Sequence, residues 1–283
     1  MQPRFLTILY TSLAMAAFAS NSLLNRLALG QQSIDAVSYT TVRLTAGALT
    51  LWLLSSLQRN SIGSNVRGNL LSSAMLFLYA IAFSFAYLSL SAGTGALILF
   101  GSVQLTMLLV ALRSGERPQL LEWLGLLLAL GGLVYLVLPG LEAPSPFGSA
   151  LMTVAGIAWG VYSLRGRGSR SPLADTTGNF LRAVPLIIIV RLVPFHDVHL
   201  TSSGILLAVI SGAVASGVGY VIWYKALADL TATRAAIVQL SVPVLAAWGG
   251  VVLLAEDISL RLILAAALIL GGIALAIAGR RKV

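Results

Sequence analysis

Cysteine is missing from the 283 residues, which excludes disulfides, thiol catalysis and cysteine-based metal sites. Charge is nearly as scarce. Asp, Glu, Lys and Arg make up 10% of the chain, where a soluble domain carries about 25%. Such a chain cannot cover its own surface in water, and with 58% hydrophobic residues it reads as an integral membrane protein. No carboxylate lies deep in any apolar run. Proton exchange through a mid-membrane carboxylate is therefore disfavoured, and a cationic solute would find no counter-charge. A Gly-Lys-Ser/Thr phosphate loop is also absent, so ATP hydrolysis is not expected. Histidine is limited to His196 and His199 beside Asp197, which reads as a solvated loop rather than a metal site, and no cofactor is expected.

What the chain does have is a succession of apolar runs, near 5–29, 34–57, 69–91, 92–112, 119–139, 147–164, 173–194, 203–225, 231–254 and 259–279. At about 20 residues per span these make ten spans and leave no room for a soluble domain. The turn between the third and fourth runs is expected at Ala92-Gly93-Thr94-Gly95, and that between the eighth and ninth at Asp229. The first run, with Arg4 and small residues at Ala14–Ala19, has features of a secretory signal. It is long enough to span, however, and residues 17–23 align with 158–164, so it is expected to remain as a span.

Residues 86–139 and 226–279 align without a gap, 140 residues apart. Glu116 falls on Glu256, and Leu130-Gly131-Gly132 on Leu270-Gly271-Gly272. Leu and Ala matches carry little weight in so apolar a chain; the glutamate and the glycine pair carry most of it. An internal repeat of this kind is common in transporters, with the site between the halves. Placing the N-terminus in the cytoplasm puts Arg4, Arg59, Arg67, Arg113, Arg117, Arg165, Arg167, Arg170, Arg280, Arg281 and Lys282 inside and only Arg26, Arg191 and Arg261 outside. Both termini are expected to be cytoplasmic, in the plasma (inner) membrane, and the net charge of +9 serves topology rather than nucleic acid. Five spans per half make the second half start on the opposite side. The expected fold is thus an all-α membrane protein of ten transmembrane helices in two inverted five-helix repeats, 1–139 and 147–283, joined by a linker at 140–146.

The stretch Gln239-Leu-Ser-Val-Pro-Val-Leu-Ala-Ala-Trp-Gly-Gly-Val-Val-Leu-Leu-Ala-Glu256, followed by Leu270-Gly271-Gly272, resembles the drug/metabolite transporter superfamily, of the ten-span type with two EamA repeats. Gly217–Leu227 and Ala158-Trp159-Gly160 carry the same resemblance, which covers nearly the whole chain. It implies a secondary transporter or facilitator of small metabolites, with helix bundles rocking around a central cavity from spans one, three, four, six, eight and nine. Family members export amino acids, other metabolites or drugs. One departure is that Pro243 of the ninth span meets Val103 in the fourth, so the first half is expected to lack a helix distortion that the second has.

Arg43 and Arg182 are the sharpest candidates. They are repeat mates 139 residues apart, each roughly 13 Å into its span. A buried guanidinium suits a carboxylate or phosphate clamp, and the alternative is that each bonds helix-end carbonyls or snorkels. Asn21, Tyr79, Gln104, Trp159, Tyr162, Tyr220, Tyr224 and Gln239 are the substrate-binding candidates among the polar and aromatic span residues, with Tyr39, Tyr87, Trp223 and Trp248 as further possible walls. Gly156 and Gly160 form a GxxxG, and Ser211, Gly212, Ala215, Ser216 and Gly219 a small face, both read as helix packing. Glu116 and Glu256 are expected to cap helix starts or pair with Arg117 and Arg261. The expected partners are a small-molecule substrate, most simply an amino acid or related carboxylate for export, and the lipid bilayer; a monomer suffices. A drug exporter of the same fold, an intramembrane lipid-modifying enzyme and a non-transporting scaffold are the alternatives.

Overall fold

The computed structural model describes residues 3–58, 67–113, 120–137, 143–167, 169–192, 198–230, 235, 238–239 and 241–278. Ten helical rods hold nearly all of them: α1 (Pro3–Gly30), α2 (Ala36–Gln58), α3 (Leu70–Ala86), α4 (Ala92–Arg113), α5 (Leu120–Val137), α6 (Pro146–Gly166), α7 (Pro172–Arg191), α8 (Ser202–Ala228), α9 (Ser241–Leu254) and α10 (Leu260–Ala278). Among the described residues the one extended pairing is an isolated bridge of Ile34 with Leu200. The expected all-helical class is observed. By length and hydropathy, α1, α4, α6, α7 and α8 can each cross a membrane, while α3, α5, α9 and α10 carry shorter apolar stretches. Among the described residues these criteria mark five spans; α3 falls short because it ends at the turn of 87–91. In α2 the cause is polarity, from Ser38, Thr40, Thr41, Arg43, Ser55 and Ser56.

Helix starts are written locally. Asp35, Asn69, Ser91, Ser145, Thr201 and Ser259 each accept a hydrogen bond from the backbone N–H three residues on, at 2.8 to 3.3 Å. Each thereby satisfies one of the donors a helix leaves open at its first turn. The cap at Ser91 corrects the turn expected at 92–95. The break lies at 87–91, and Gly93 and Gly95 sit inside the first turn of α4. Packing is the reason: a Cβ on Gly95 would lie 2.5 Å from the Tyr87 ring, and one on Gly93 would lie 2.9 Å from Ala247.

The closest helix pairings join one half of the chain to the other. α3 and α4 pack on α6, α8 and α9 pack on α1, α2 packs on α7 and α8, α3 packs on α7, α4 on α9 and α5 on α10. Advancing every number by five, cyclically, returns the same set. Small residues set the crossings. Cβ atoms on Gly156 and Gly160 would lie 2.5 Å from the carbonyl of Leu99 and 3.0 Å from Thr106, so the GxxxG of α6 receives the backbone of α4. In the α5–α10 pair, Gly132 and Gly272 are both at the contact, while Gly131 and Gly271 face open space. The outer surface is apolar, with Trp52, Phe147, Ile189, Val214 and Trp248 among its exposed side chains. A surface of this kind belongs in lipid. Trp248, a possible cavity wall from sequence, is 67% exposed and lies on this surface.

At one end of the bundle, Glu256 serves two helices at once. Its Oε2 accepts from the backbone N–H of Ala92 at 2.8 Å, at the start of α4, and its Oε1 accepts from Arg26 Nε on α1 at 2.9 Å. The cap is therefore on a helix of the other half, and the ion-pair partner is Arg26 instead of Arg261. Arg261 donates to the carbonyl of Tyr135. Ala255 adopts a left-handed φ of 52° directly before Glu256, and the backbone N–H of Glu256 then returns to Gly250 O at 3.1 Å. Glu116 lies outside the described residues. Replacing Glu256 by Ala is expected to destabilise the fold by about 1 to 2 kcal/mol through the lost cap and pair. Thermal unfolding in detergent checks this, with Arg26→Ala giving a smaller loss because the cap survives.

Candidate functional site

Helical spacing on α2 puts Tyr39, Arg43 and Gly47 on one face, and that face meets α8 where α8 is not an α-helix. Ser211–Val218 is π-helical. In an α-helix, residues five apart point about 140° away from each other; i→i+5 bonding brings them into line. Ser211 and Ser216 accordingly both donate to Asn21 Oδ1, at 2.7 and 3.3 Å. Two glycines bring the backbones together. A Cβ on Gly212 would lie 2.1 Å from the carbonyl of Arg43, and one on Gly47 would lie 2.9 Å from the carbonyl of Gly212.

Arg43 is 1% exposed. Its Nε donates to Ser216 Oγ at 3.1 Å, and its Nη2 to Tyr220 Oη at 3.0 Å and Tyr79 Oη at 3.3 Å. The guanidinium also stands over the rings of Tyr79 and Phe83, 5.4 and 5.3 Å from their centroids. These contacts are hydroxyls and ring faces, and none of them is a carboxylate. Arg43 Nη1, Asn21 Nδ2 and Tyr39 Oη are buried without a hydrogen-bond partner. A buried guanidinium of this kind is costly unless something else supplies the anion.

Around the guanidinium stands a box of rings. Trp159 lies 4.6 Å from Tyr220, 5.0 Å from Tyr79 and 5.2 Å from Phe18, centroid to centroid. Phe180 and Trp223 extend the box through Tyr220 and Phe18. Trp159 Nε1 donates to Gln239 Oε1 at 3.1 Å, and Gln239 Nε2 returns to the carbonyl of Ala235. Tyr162 stacks on Trp159 and leads to Tyr224, whose hydroxyl reaches the carbonyl of Tyr162 at 3.5 Å. The site thus combines one fixed cation, several donors and a wall of aromatic faces, which is a combination suited to an organic anion with an apolar body.

Of the residues singled out from sequence, Asn21, Arg43, Tyr79, Trp159, Tyr162, Tyr220, Tyr224 and Gln239 fall into this one connected cluster. Gln104 is buried on α4, and the cluster reaches that helix through Gln239 Nε2, 4.0 Å from Met107 Sδ. Arg182 stands apart from Arg43. Its Nη1 donates to the carbonyls of Arg67 and Gly178, at 2.6 and 2.9 Å, which is the carbonyl-bonded arrangement weighed against the clamp. His199 uses its backbone to pair with Asp35, and His196 lies outside the described residues. Sequence reasoning missed the polar roles of Ser211 and Ser216, read there as packing. Their separation by five residues inside a glycine-rich run is the signal that could have found them.

At the end of the bundle near Glu256, polar bonds tie the α1–α2 turn to the segment before α8. Ser33 O accepts from Thr201 N and Oγ1, Asp35 N donates to His199 O, and Asp35 Oδ2 accepts from His199 N. Burial raises the Asp35 pKa, but hydrogen bonds from the Ser38 side chain and the backbone N–H groups of Ser38 and His199, with the charge of Arg191, outweigh it and hold the carboxyl below its ordinary 3.8. A depressed pKa stabilises the fold above the unfolded value, and that contribution disappears as pH falls through the folded value. Thermal melts from pH 7 to pH 3 should therefore show wild type losing stability below about pH 4 more steeply than Asp35→Asn. At the opposite end, among the described residues, a cleft of about 170 Å³ lies between Arg67, Asn69, Arg165, Asp175, Asn179 and Tyr224.

The EamA-like transporter family profile matches residues 146–278, which run from α6 through α10. The chain belongs to the EamA-like transporter family. An uncharacterized protein of Pseudomonas aeruginosa is 52% identical over 274 residues, covering 97% of this chain and 95% of that protein. An uncharacterized transporter of Bacillus subtilis is 22% identical over 258 residues, 86% of this chain and 88% of its own length. One from Archaeoglobus fulgidus is 27% identical over 205 residues, 69% and 71% respectively. A solved crystal structure with 22% sequence identity superposes with a TM-score of 0.68 over 95% of this chain and 96% of that one, which establishes a shared fold. The EamA-like protein is thus a multi-pass membrane transporter, with its aromatic box divided between the matched helices and α1 to α3.

Proposed function

We propose that this EamA-like protein carries an amino acid or related small carboxylate across the plasma (inner) membrane, outward, by alternating access, with a chamber formed at the Arg43 cluster as the helix bundles rock. The observation that carries this reading is the buried Arg43 guanidinium, contacted by hydroxyls and ring faces, with its Nη1 unpaired. A solute carboxylate supplies the missing charge, and the rings of Trp159, Tyr79 and Tyr220 hold its body. Ten helices crossing as two inverted five-helix repeats, with both termini cytoplasmic, accommodate this mechanism. The helix pairings that recur on advancing by five, and the surplus of Arg and Lys at one end, support that arrangement. In it, the end tied by Asp35 and Glu256 faces outward, and the open cleft at Arg67 and Arg165 faces the cytoplasm. Arg182 serves as a strut between α7 and the segment before α3.

The test is solute flux in proteoliposomes. Amino acids, organic acids, nucleosides and cationic drugs are screened with and without a pH gradient. A carboxylate-bearing solute is expected to cross at a rate well above empty liposomes. Flux of cationic drugs alone, or chemical alteration of the lipid with no flux, would sink the reading.

A further inference from the structure

The open cleft between α3, α6 and α7 carries chemistry the central chamber lacks. Arg67 and Arg165 are exposed on its rim, and Asp175, half-buried, is the carboxylate among its lining residues. Arg165 is fixed in place, its Nε donating to Ser72 Oγ at 3.1 Å and its Nη2 to Asn69 Oδ1 at 3.0 Å, which leaves Nη1 for a ligand. Gly68 turns the backbone with a φ of 80°, and a Cβ there would collide with Asn179 Oδ1 at 2.6 Å, so the Arg67 loop lies directly on α7. Asn69 N donates to that same Asn179 oxygen at 3.1 Å. The floor is Asn179 and Tyr224, each 2% exposed. Close by in the fold are two fully buried hydroxyls without hydrogen-bond partners, Tyr162 Oη and Thr176 Oγ1. The Tyr162 ring connects the floor to the chamber, 5.5 Å from Tyr224 on one side and 6.4 Å from Tyr220 on the other.

We propose that this cleft is a second binding site, which takes a small zwitterion, its carboxylate on Arg67 and Arg165 and its ammonium on Asp175, before the solute passes Tyr224 and Tyr162 to reach Arg43. Two cations and one anion on a single rim match a molecule that carries one of each charge, and guanidinium forks bind a carboxylate with directional bonds. The volume, about 170 Å³, corresponds to roughly six waters, which suits a free amino acid. The chamber at Arg43 has no carboxylate contact of its own for the ammonium, so the two sites select on different groups. The cleft reads the whole zwitterion, and the chamber reads the carboxylate and the body. The passage from cleft to chamber rests on the transport reading above; the binding itself does not.

The test uses the full chain in lipid nanodiscs and three probes: L-leucine, N-acetyl-L-leucine, which lacks the cation, and L-leucinamide, which lacks the carboxylate. Equilibrium dialysis is run in the Arg43→Gln background, so that binding reports the cleft. L-Leucine is expected to bind more tightly than either single-charge probe. Adding Asp175→Asn should weaken L-leucine by about tenfold or more and leave N-acetyl-L-leucine unchanged. Adding Arg67→Gln should weaken both carboxylates, with Arg67→Lys restoring them in part. Absence of binding in the Arg43→Gln protein, equal losses for all three probes, or identical behaviour of the Gln and Lys variants would each overturn the cleft site. Flux separates the two proposals. If Arg43→Gln stops flux but the cleft variants leave binding unchanged, the cleft site falls and the chamber stands. If Arg43→Gln still transports at the wild-type rate, the chamber reading falls and the dialysis result on the cleft is unaffected.

Discussion

Arg43→Gln should lower carboxylate flux by about two orders of magnitude or more, the worth of a buried charge-assisted contact of roughly 3 kcal/mol. The same substitution should move the melting temperature little. Arg43 donates to Ser216, Tyr220 and Tyr79, and Gln keeps one donor among these hydroxyls while removing the uncompensated charge. Losing a handful of neutral-acceptor bonds costs about 1 kcal/mol each, but removing a buried cation without a counter-ion returns energy of the opposite sign. Arg43→Met sharpens the contrast. It removes the charge and all three bonds in a side chain of similar length, and flux is expected to vanish while the protein still runs as a single species on size exclusion. A protein in which Arg43 served only to hold α2, α3 and α8 together would show the reverse, with lost expression and flux per folded molecule preserved. Flux normalised to folded protein, together with thermal unfolding, distinguishes the two.

Gly212→Ala is expected to be the most damaging single-methyl change in the chamber. The added carbon would sit 2.1 Å from the carbonyl of Arg43 and 2.8 Å from its carbonyl carbon. These are backbone atoms of a packed helix, and no side-chain rotation relieves the overlap, so α2 and α8 must move apart. Overpacking typically costs about 1 to 3 kcal/mol, and the separation also pulls Ser216 away from Arg43 Nε. The melting temperature should drop by several degrees, and flux should fall well beyond what the loss of folded protein explains. Gly271→Ala is the control. Nothing lies within 4 Å of a Cβ at that position, and replacing a helical glycine by alanine there should stabilise slightly. If the two variants melt and transport alike, the close crossing of α2 and α8 has no consequence.

These contrasts show which parts of the molecule can be read from sequence. The runs expected from 34, 69 and 203 begin close to α2, α3 and α8, and the caps at Asp35, Asn69 and Thr201, local devices three residues from the bond they accept, are the signal that would have fixed those starts. Arg43 was legible because a lone cation in an apolar run has few affordable fates. Its repeat mate Arg182 looked equivalent. The difference came from tertiary structure, since the Arg67 carbonyl lies 1.8 Å from where a Cβ of Gly178 would stand and offers Arg182 an acceptor that α2 does not offer Arg43. The π-helical turn of α8 was hidden for a related reason. Ser211–Val218 fits an α-helix equally well by composition, and only the α2 backbone pressed against Gly212 and the shared acceptor on Asn21 distinguish the two. Glu256 was recognised as a helix-end residue, but its partners, 164 and 230 positions away, lie beyond any local pattern.

The pairing of α2 with α7 and α8, and of α1 with α8 and α9, bears on how the protein is made. In the ten-span arrangement proposed above, α1 to α5 enter the bilayer during synthesis before the helices they pack against exist. Arg43 must then wait in lipid or at its edge without Ser216 and Tyr220, which arrive more than 170 residues later. Until α8 is inserted, the first half is a set of loosely associated helices with an unsatisfied cation. A chain truncated after α5 would be a substrate for membrane quality control, not a half-sized carrier.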